Sequence, residues 1–191
     1  TVVIAVGKIV VGRVVSVIFA LLLNEVAHTF YKRLIQTMSY LLHFLSWIIF
    51  GGILITILGW FGLLNRALAL VGIEPILWLG TPSIFPVTVI LTDTWKEFGW
   101  SAVVLLAALT GIDPTLYEAA AVDGANRWQR AWNVTLPGIM PTIVMLTCLS
   151  LGSVLNAGFE QLLTLQNPMV LSTGDILDTY VYRAGLLERK Y

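Results

Sequence analysis

Residues 111–137, GIDPTLYEAAAVDGANRWQRAWNVTLP, lie between two strongly apolar runs, 100–109 before them and 137–157 after them. Asp113 is a good helix N-cap, and Pro114 fits the first helical position, where a missing N–H has no partner to lose. Residues 116–122 therefore read as one short helix, and Gly124 suits the left-handed position that ends it. Asn126 can cap a second short helix over 127–134, and Pro137 fits the first turn of the following apolar run. The pattern is two short helices joined at a glycine between two membrane spans. Such helices cannot bury their apolar sides alone, so Leu116, Ala119, Ala120 and Val122 require a partner surface.

Composition agrees with a membrane class. The 191 residues are 58% hydrophobic and 12% charged, against about 45–50% and about 25% in soluble domains. A formal net charge of +0 argues against a nucleic-acid partner. The single cysteine, Cys148, excludes a disulfide framework or cysteine metal cluster and reads as a small packing residue in an apolar run.

A span needs about 20 mainly apolar residues. Four stretches qualify: 2–23, interrupted by Lys8 and Arg13; 40–63; 84–110, whose first half holds Asp93, Lys96 and Glu97; and 137–157. Lys32 and Arg33 in the loop 24–39, with Arg127 and Arg130 in 111–136, outnumber Arg66 in 64–83 and Arg183 in 158–185. That bias places 24–39 and 111–136 in the cytoplasm. Arg189 and Lys190 run against it unless a span re-enters just beyond Tyr191 and leaves them at its outer mouth. Residues 64–80 are too short to span and read as an interfacial helix followed by a loop, with Trp78 at headgroup level; Trp47 and Trp60 can be read the same way. The chain opens inside an apolar run without Met and ends without a closing span, which reads as part of a longer protein.

Glu118-Ala119-Ala120, Gly124, Val134 and Leu136-Pro137, at these spacings, resemble the EAA loop of binding-protein-dependent ABC importer permeases, with Val134 where the family pattern has Ile. The resemblance implies an all-α, polytopic transmembrane helix bundle of the type I ABC importer permease fold over 1–191, with the coupling loop at 113–137. It implies one further span before Thr1 and one after Tyr191. In that family the loop docks into a groove on a cytoplasmic ATPase. Glu118, Ala119, Ala120, Asp123, Gly124, Arg127, Leu136 and Pro137 are the residues this carries over. The implied partners are a second permease subunit, two ATPase subunits that bind ATP and Mg, an extracytoplasmic solute-binding protein and the lipid bilayer. The implied location is the bacterial plasma (inner) membrane, with multiple passes. Residues 20–25 (ALLLNE), the Trp-containing third span and 178–183 (DTYVYR) resemble the oligosaccharide and polysaccharide branch, which includes the alginate-importer type. Arg13-Val14 departs from the Phe-Pro that relatives place after the glycine corresponding to Gly12.

Ionisable groups inside a span cost about 2.5–3.5 kcal/mol each on insertion scales and mark pathways by default. Asp93, Lys96, Glu97 and Trp100 share one helical face at i, i+3, i+4 and i+7. Asp93-Thr94-Trp95 resembles the Asn-Thr-Trp at which maltose-type permeases begin their cavity-lining stretch, which implies that Asp93, Trp95, Lys96, Glu97 and Trp100 line a carbohydrate pathway. The competing reading is an ion pair, Asp93–Lys96 or Lys96–Glu97, that locks the bundle. Asn156, Phe159 and Glu160 end the fourth span, as pathway residues or as a helix cap. Lys8 is expected to snorkel outward, Arg13 to need a partner, a wet cavity or an anionic sugar, and His43 to be an interfacial or packing residue.

The chain has no GxxxxGK[ST] phosphate loop, no HExxH and no GxSxG. No catalytic residue, metal site or cofactor is therefore expected in it. Importing a non-sugar solute through an ABC system is the first alternative to carbohydrate import. An ion-coupled secondary transporter, which needs no ATPase-docking loop, is the second.

Overall fold

The computed structural model describes residues 1–26 and 28–187. The expectation for Arg189 and Lys190 lies outside them. Among the described residues the regular structure is helical, without strands. The α-helices are α1 Val2–Asn24, α2 Thr29–Leu41, α3 Trp47–Leu58, α4 Leu63–Ala69, α5 Phe85–Thr110, α6 Pro114–Val122, α7 Arg127–Arg130, α8 Leu136–Gly152, α9 Phe159–Leu165, α10 Leu171–Gly174 and α11 Leu177–Val181. By length and apolar composition, Val2–Asn24, Trp47–Ala69 and Arg127–Gly152 are long enough to cross a membrane. Helices α5 and α6 form a fourth candidate if their 73° bend is counted as a break within one span.

Helices α1 and α5 fall where the sequence places the first and third apolar stretches. The expected second span, 40–63, does not run as one helix. Residues 40–41 end α2, a 3₁₀ turn follows at Leu42–Phe44, and α3 starts afresh at Trp47. Ser46 makes the restart: its backbone is extended (φ −64°, ψ 150°), and its Oγ accepts the N–H of Ile49 at 3.3 Å. The expected loop 24–39 is mostly helix α2. Phe30, Leu34, Met38 and Leu41 repeat at helical spacing while Lys32, Arg33 and Gln36 interrupt them, so an apolar run of membrane length never builds up.

The fourth span also differs. Helices α7 and α8 are joined through a π turn, Ala131–Thr135, so the second loop helix continues into the span rather than stopping before it. Pro137 explains the π turn. Proline has no N–H for the carbonyl of Asn133, and widening the preceding turn lets the helix pass the missing bond. The span ends at Gly152, short of the expected 157. Asn156 lies in the following turn, whereas Phe159 and Glu160 begin α9 behind Gly158, whose φ is +91°. Cys148, read from sequence as a packing residue, is an exposed free thiol.

The described residues form two compact units. One comprises residues 1–8, 44–94 and 153–187. Its buried residues include Phe50, Leu54, Phe85, Val89, Leu162 and Ile176, and α3 packs on α9. Asn65, 2% exposed, organises the segment that follows α4. Its Nδ2 donates to the carbonyls of Gly59, Trp60 and Ile76, while its Oδ1 accepts from the Ile76 N–H and from Trp78 Nε1 at 3.0 Å. Trp78 is thus half-buried and tied to α4. Asn65→Leu strands the Ile76 and Trp78 donors, at about 1–3 kcal/mol per stranded group. A melting temperature lower than wild type in detergent checks this, and Asn65→Asp should retain part of the stability because Oδ1 still accepts.

The second unit comprises residues 9–26, 28–43 and 95–152. Ala20, Ala102, Leu105, Leu109 and Ile139 form its buried cluster, flanked by Val17, Leu106, Ile143 and Leu146. Ser16, fully buried on α1, donates to the Gly12 and Phe98 carbonyls and fixes α1 against α5 within this unit. Small side chains at 16, 20 and 102 permit the close approach.

Candidate functional site

The loop 113–137 lies in the second unit. Asp113 caps α6, its Oδ1 accepting the Thr115 N–H at 2.9 Å. The backbone bond from Thr115, then the bond to the Thr115 side chain, holds the exposed Asp113 carboxyl below its ordinary value. The cap is fully formed above the ordinary carboxylate range and fades as pH falls through the depressed value. At the other end, Gly124 has φ +76°. The Ala125 N–H reaches the Ala120 carbonyl at 2.9 Å and the Gly124 N–H reaches that of Ala121 at 3.1 Å, the paired bonds of a Schellman motif. Asn126 and Gln129 then exchange side chain-to-backbone bonds of 2.9 and 2.8 Å, a capping box that starts α7. Tyr117 Oη lies 3.1 Å from Thr135 Oγ1 and ties α6 to the π turn.

This framework leaves apolar surface outside. Leu116 is 52% exposed, Val122 89%, Trp128 72% and Trp132 64%. Glu118, Ala119, Asp123, Gly124, Arg127 and Pro137 are exposed with them, and Ala120 and Leu136 partly so. The aromatic pair Trp128 and Trp132 extends the surface read from sequence. Its signal was i, i+4 spacing on the second loop helix.

The expected pathway face on α5 divides between two polar clusters. In the first unit, Asp93 pairs with Lys8 at 3.0 Å. Lys8 also donates to the Ala157 carbonyl at 2.7 Å and to Gln161 Oε1. The fully buried Gln161 passes its own N–H groups to the Val89 carbonyl and Thr92 Oγ1, both at 2.9 Å. Lys8 therefore turns inward, not outward as its position suggested. The reason is the acceptor set that α5 and α9 present. Near it, Glu160 and Asn156 are exposed, and Phe159 packs edge-on against Tyr182 at 5.7 Å.

In the second unit, Lys96 is 4% exposed and donates to Glu97 Oε1 at 3.0 Å and to the His43 carbonyl at 2.9 Å. His43 Nδ1 lies 2.6 Å from Glu97 Oε2, and its ring stacks on Trp100 at 4.7 Å with 5° between planes. His43, read from sequence as an interfacial or packing residue, is a member of this polar cluster. A polar ring at the Ser46 break of α2 and α3 is the signal that could have found it. Trp95 and Trp100 are about half exposed, at 44% and 46%. Gly99 makes the cluster possible: a Cβ there would lie 2.4 Å from the Ser39 carbonyl oxygen, so only glycine lets α5 come this close to α2. Gly99→Ala should push the two helices apart at about 1–3 kcal/mol of overpacking. A lower melting temperature with intact membrane insertion checks it, and an unchanged one would mean that α2 gives way freely.

The comparisons with known proteins agree with the helical architecture. Residues 12–186 match the family model described as binding-protein-dependent transport system inner membrane component. The polygalacturonan/rhamnogalacturonan transport system permease protein YteP of Bacillus subtilis (strain 168) is 42% identical over 180 residues, covering 93% of this chain and 56% of that protein. The chain therefore spans little more than half the length of that relative. Among solved structures, a chain of a bacterial alginate ABC transporter in complex with alginate pentasaccharide-bound periplasmic protein matches with TM-score 0.91 and 38% identity, covering 98% of this chain and 65% of that one. A chain of a bacterial ABC transporter involved in the import of the acidic polysaccharide alginate matches with TM-score 0.86 and 36% identity, covering 99% of this chain and 69% of that one.

Proposed function

Since the chain belongs to the family of binding-protein-dependent transport system inner membrane components, we propose that it acts as a permease subunit of an ATP-driven importer of oligo- or polysaccharides. The observation that carries the coupling role is the loop 113–137: rigidly capped at Asp113, Gly124 and Asn126, yet with Leu116, Val122, Trp128 and Trp132 uncovered. The carbohydrate cargo is supported by the relatives, one a polygalacturonan/rhamnogalacturonan permease and one an alginate transporter chain.

In this reading the loop sits on one of two ATPase subunits that bind ATP and Mg, and Glu118, Ala119, Ala120, Asp123, Gly124, Arg127, Leu136 and Pro137 form or shape the docking face. A second permease subunit and an extracytoplasmic binding protein complete the assembly, in a bacterial plasma membrane. Closure of the ATPases moves the loop. Because α7 passes into α8 without a break, the movement reaches the span as that of a rigid rod. Alternating access follows when the pathway residues on α5 and around α9 change the side to which they open.

The test is co-expression with an ATPase and a second permease from the same operon, followed by purification on a tag carried by this chain. Stoichiometric recovery of the ATPase, and ATP-dependent uptake of a labelled oligosaccharide by vesicles holding the assembly and its binding protein, are the expected results. Uptake by this chain alone, without nucleotide, would overturn the reading.

A further inference from the structure

Arg13 is the twelfth of the 23 residues of α1, the middle of a helix long enough to cross a membrane. A guanidinium stays charged at any physiological pH, and a charge at that depth is retained for a function by default. The lysines of α1 and α5 have carboxylate partners: Lys8 with Asp93 and Lys96 with Glu97. Arg13 differs. Its Nη2 donates to the Leu146 carbonyl at 3.1 Å and to Ser150 Oγ at 3.0 Å, both on α8. These acceptors are neutral. Among the described residues of its unit, no carboxylate pairs with it. Its Nε is buried without a hydrogen-bond partner.

The two bonds from α8 fix the direction of the group. Ser150 Oγ donates in turn to the Leu146 carbonyl at 2.9 Å, so its lone pairs are turned to the guanidinium. The Arg13 side chain is only partly covered. What results is an oriented, partly accessible cation with donor capacity left over and no counter-charge from its own unit. In a low-dielectric setting a neutral acceptor satisfies a donor but does not neutralise a charge. An anion does both, and the guanidinium is matched to a carboxylate.

We propose that Arg13 supplies the counter-charge for a carboxylate of an acidic saccharide, a uronate-containing oligomer, as it crosses the membrane. The inference rests on the carbohydrate-permease reading and deepens it to a substrate class. Arg13 is then a specificity-determining residue: it favours acidic over neutral sugars of the same length. Ser150 and the Leu146 carbonyl are the positioning groups that hold it.

The probes are trigalacturonate and maltotriose, and the protein is the complete transporter in proteoliposomes with its binding protein. Arg13→Gln should lower trigalacturonate uptake at least about tenfold, with Arg13→Lys falling less because it keeps the charge but not the planar fork. Trigalacturonate should raise the melting temperature of the detergent-purified wild type and of Arg13→Lys, but not of Arg13→Gln. A purely structural residue would not produce that ligand-dependent difference. Uptake of trigalacturonate by Arg13→Gln at the wild-type level would overturn the proposal. So would equal losses in both variants with loss of subunit assembly, because the counter-ion would then be a carboxylate of the second permease. Wild-type uptake of maltotriose but not trigalacturonate overturns the inference and leaves the carbohydrate reading standing. Uptake of neither sugar removes both.

Discussion

Gly124→Leu is expected to abolish ATP-driven uptake by the assembled transporter while the permease still inserts and folds. The backbone at Gly124 is left-handed, with φ +76°, and a side chain there costs about 1–2 kcal/mol. The surroundings add nothing, since a Cβ would meet no atom within 4 Å. Within this chain, then, alanine and leucine should be nearly equivalent, and asparagine milder because it tolerates the left-handed region. A docking groove changes that ranking. If the loop is seated against an ATPase, leucine adds bulk to a buried contact and should fall about tenfold or more below alanine. The measurement is uptake and ATP hydrolysis side by side in vesicles, for Gly124→Asn, Gly124→Ala and Gly124→Leu. Equal effects of alanine and leucine would reduce Gly124 to a local turn. Normal uptake by the leucine variant would remove the loop from the mechanism.

The loop was legible in the sequence because its signals are local. Asp113-Pro114, Gly124 and Asn126 each act within a few residues, and all three do in the structure what their chemistry predicts. Helices α1 and α5 were legible as long, mostly apolar runs despite Lys8 and Arg13 in one and Asp93, Lys96 and Glu97 in the other. The break at Ser46 was not, because a serine between apolar stretches reads equally as a tolerated polar residue in a helix. Helix α2 was hidden by Lys32, Arg33 and Gln36, which make an amphipathic helix resemble a loop when only hydropathy is counted. The π turn at 131–135 was hidden by Pro137, which marks a helix start as readily as an accommodated interruption.

The polar clusters were legible in kind but only partly in pairing: Lys96–Glu97, one of the two ion pairs the sequence offered, forms at 3.0 Å. Asp93, Lys96 and Glu97 stood out by their charge, and the helical face they share was correct arithmetic. The other partners come from far along the chain. Lys8 meets Asp93, His43 meets Glu97, and Arg13 meets Leu146 and Ser150. No spacing rule connects positions so far apart, so the sequence could not choose between a pathway face and a structural pair. Gly99 shows how the choice is made physically. The absent side chain lets α5 approach Ser39, and this approach brings His43 onto Trp100.

Asp93→Ala is expected to be the most destabilising single change in the first unit. The side chain of Lys8 is only 9% exposed, and its ammonium would keep Ala157 O and Gln161 Oε1 but lose the carboxylate at 3.0 Å. Removing one member of a buried pair costs about 3–5 kcal/mol, chiefly because the other charge stays behind. The reverse change, Lys8→Met, should be milder. Asp93 has a side chain 22% exposed, so its charge retains more solvent. Lys8→Met combined with Asp93→Asn should be more stable than Asp93→Ala alone, since no uncompensated charge remains and Met fills the volume of the lysine stem. Melting of the detergent-purified assembly for Lys8→Met, Asp93→Asn and their combination gives the coupling, expected to favour the pair. Transport by the double variant then separates the two readings of Asp93. If the pair only holds α1, α5 and α9 together, a stable double variant transports. If Asp93 also contacts sugar hydroxyls, the double variant is stable and its uptake is lost. A cycle in which the single and double changes simply add would show that Lys8 and Asp93 contribute independently, and the buried pair would no longer explain why charge is kept at this depth in α5.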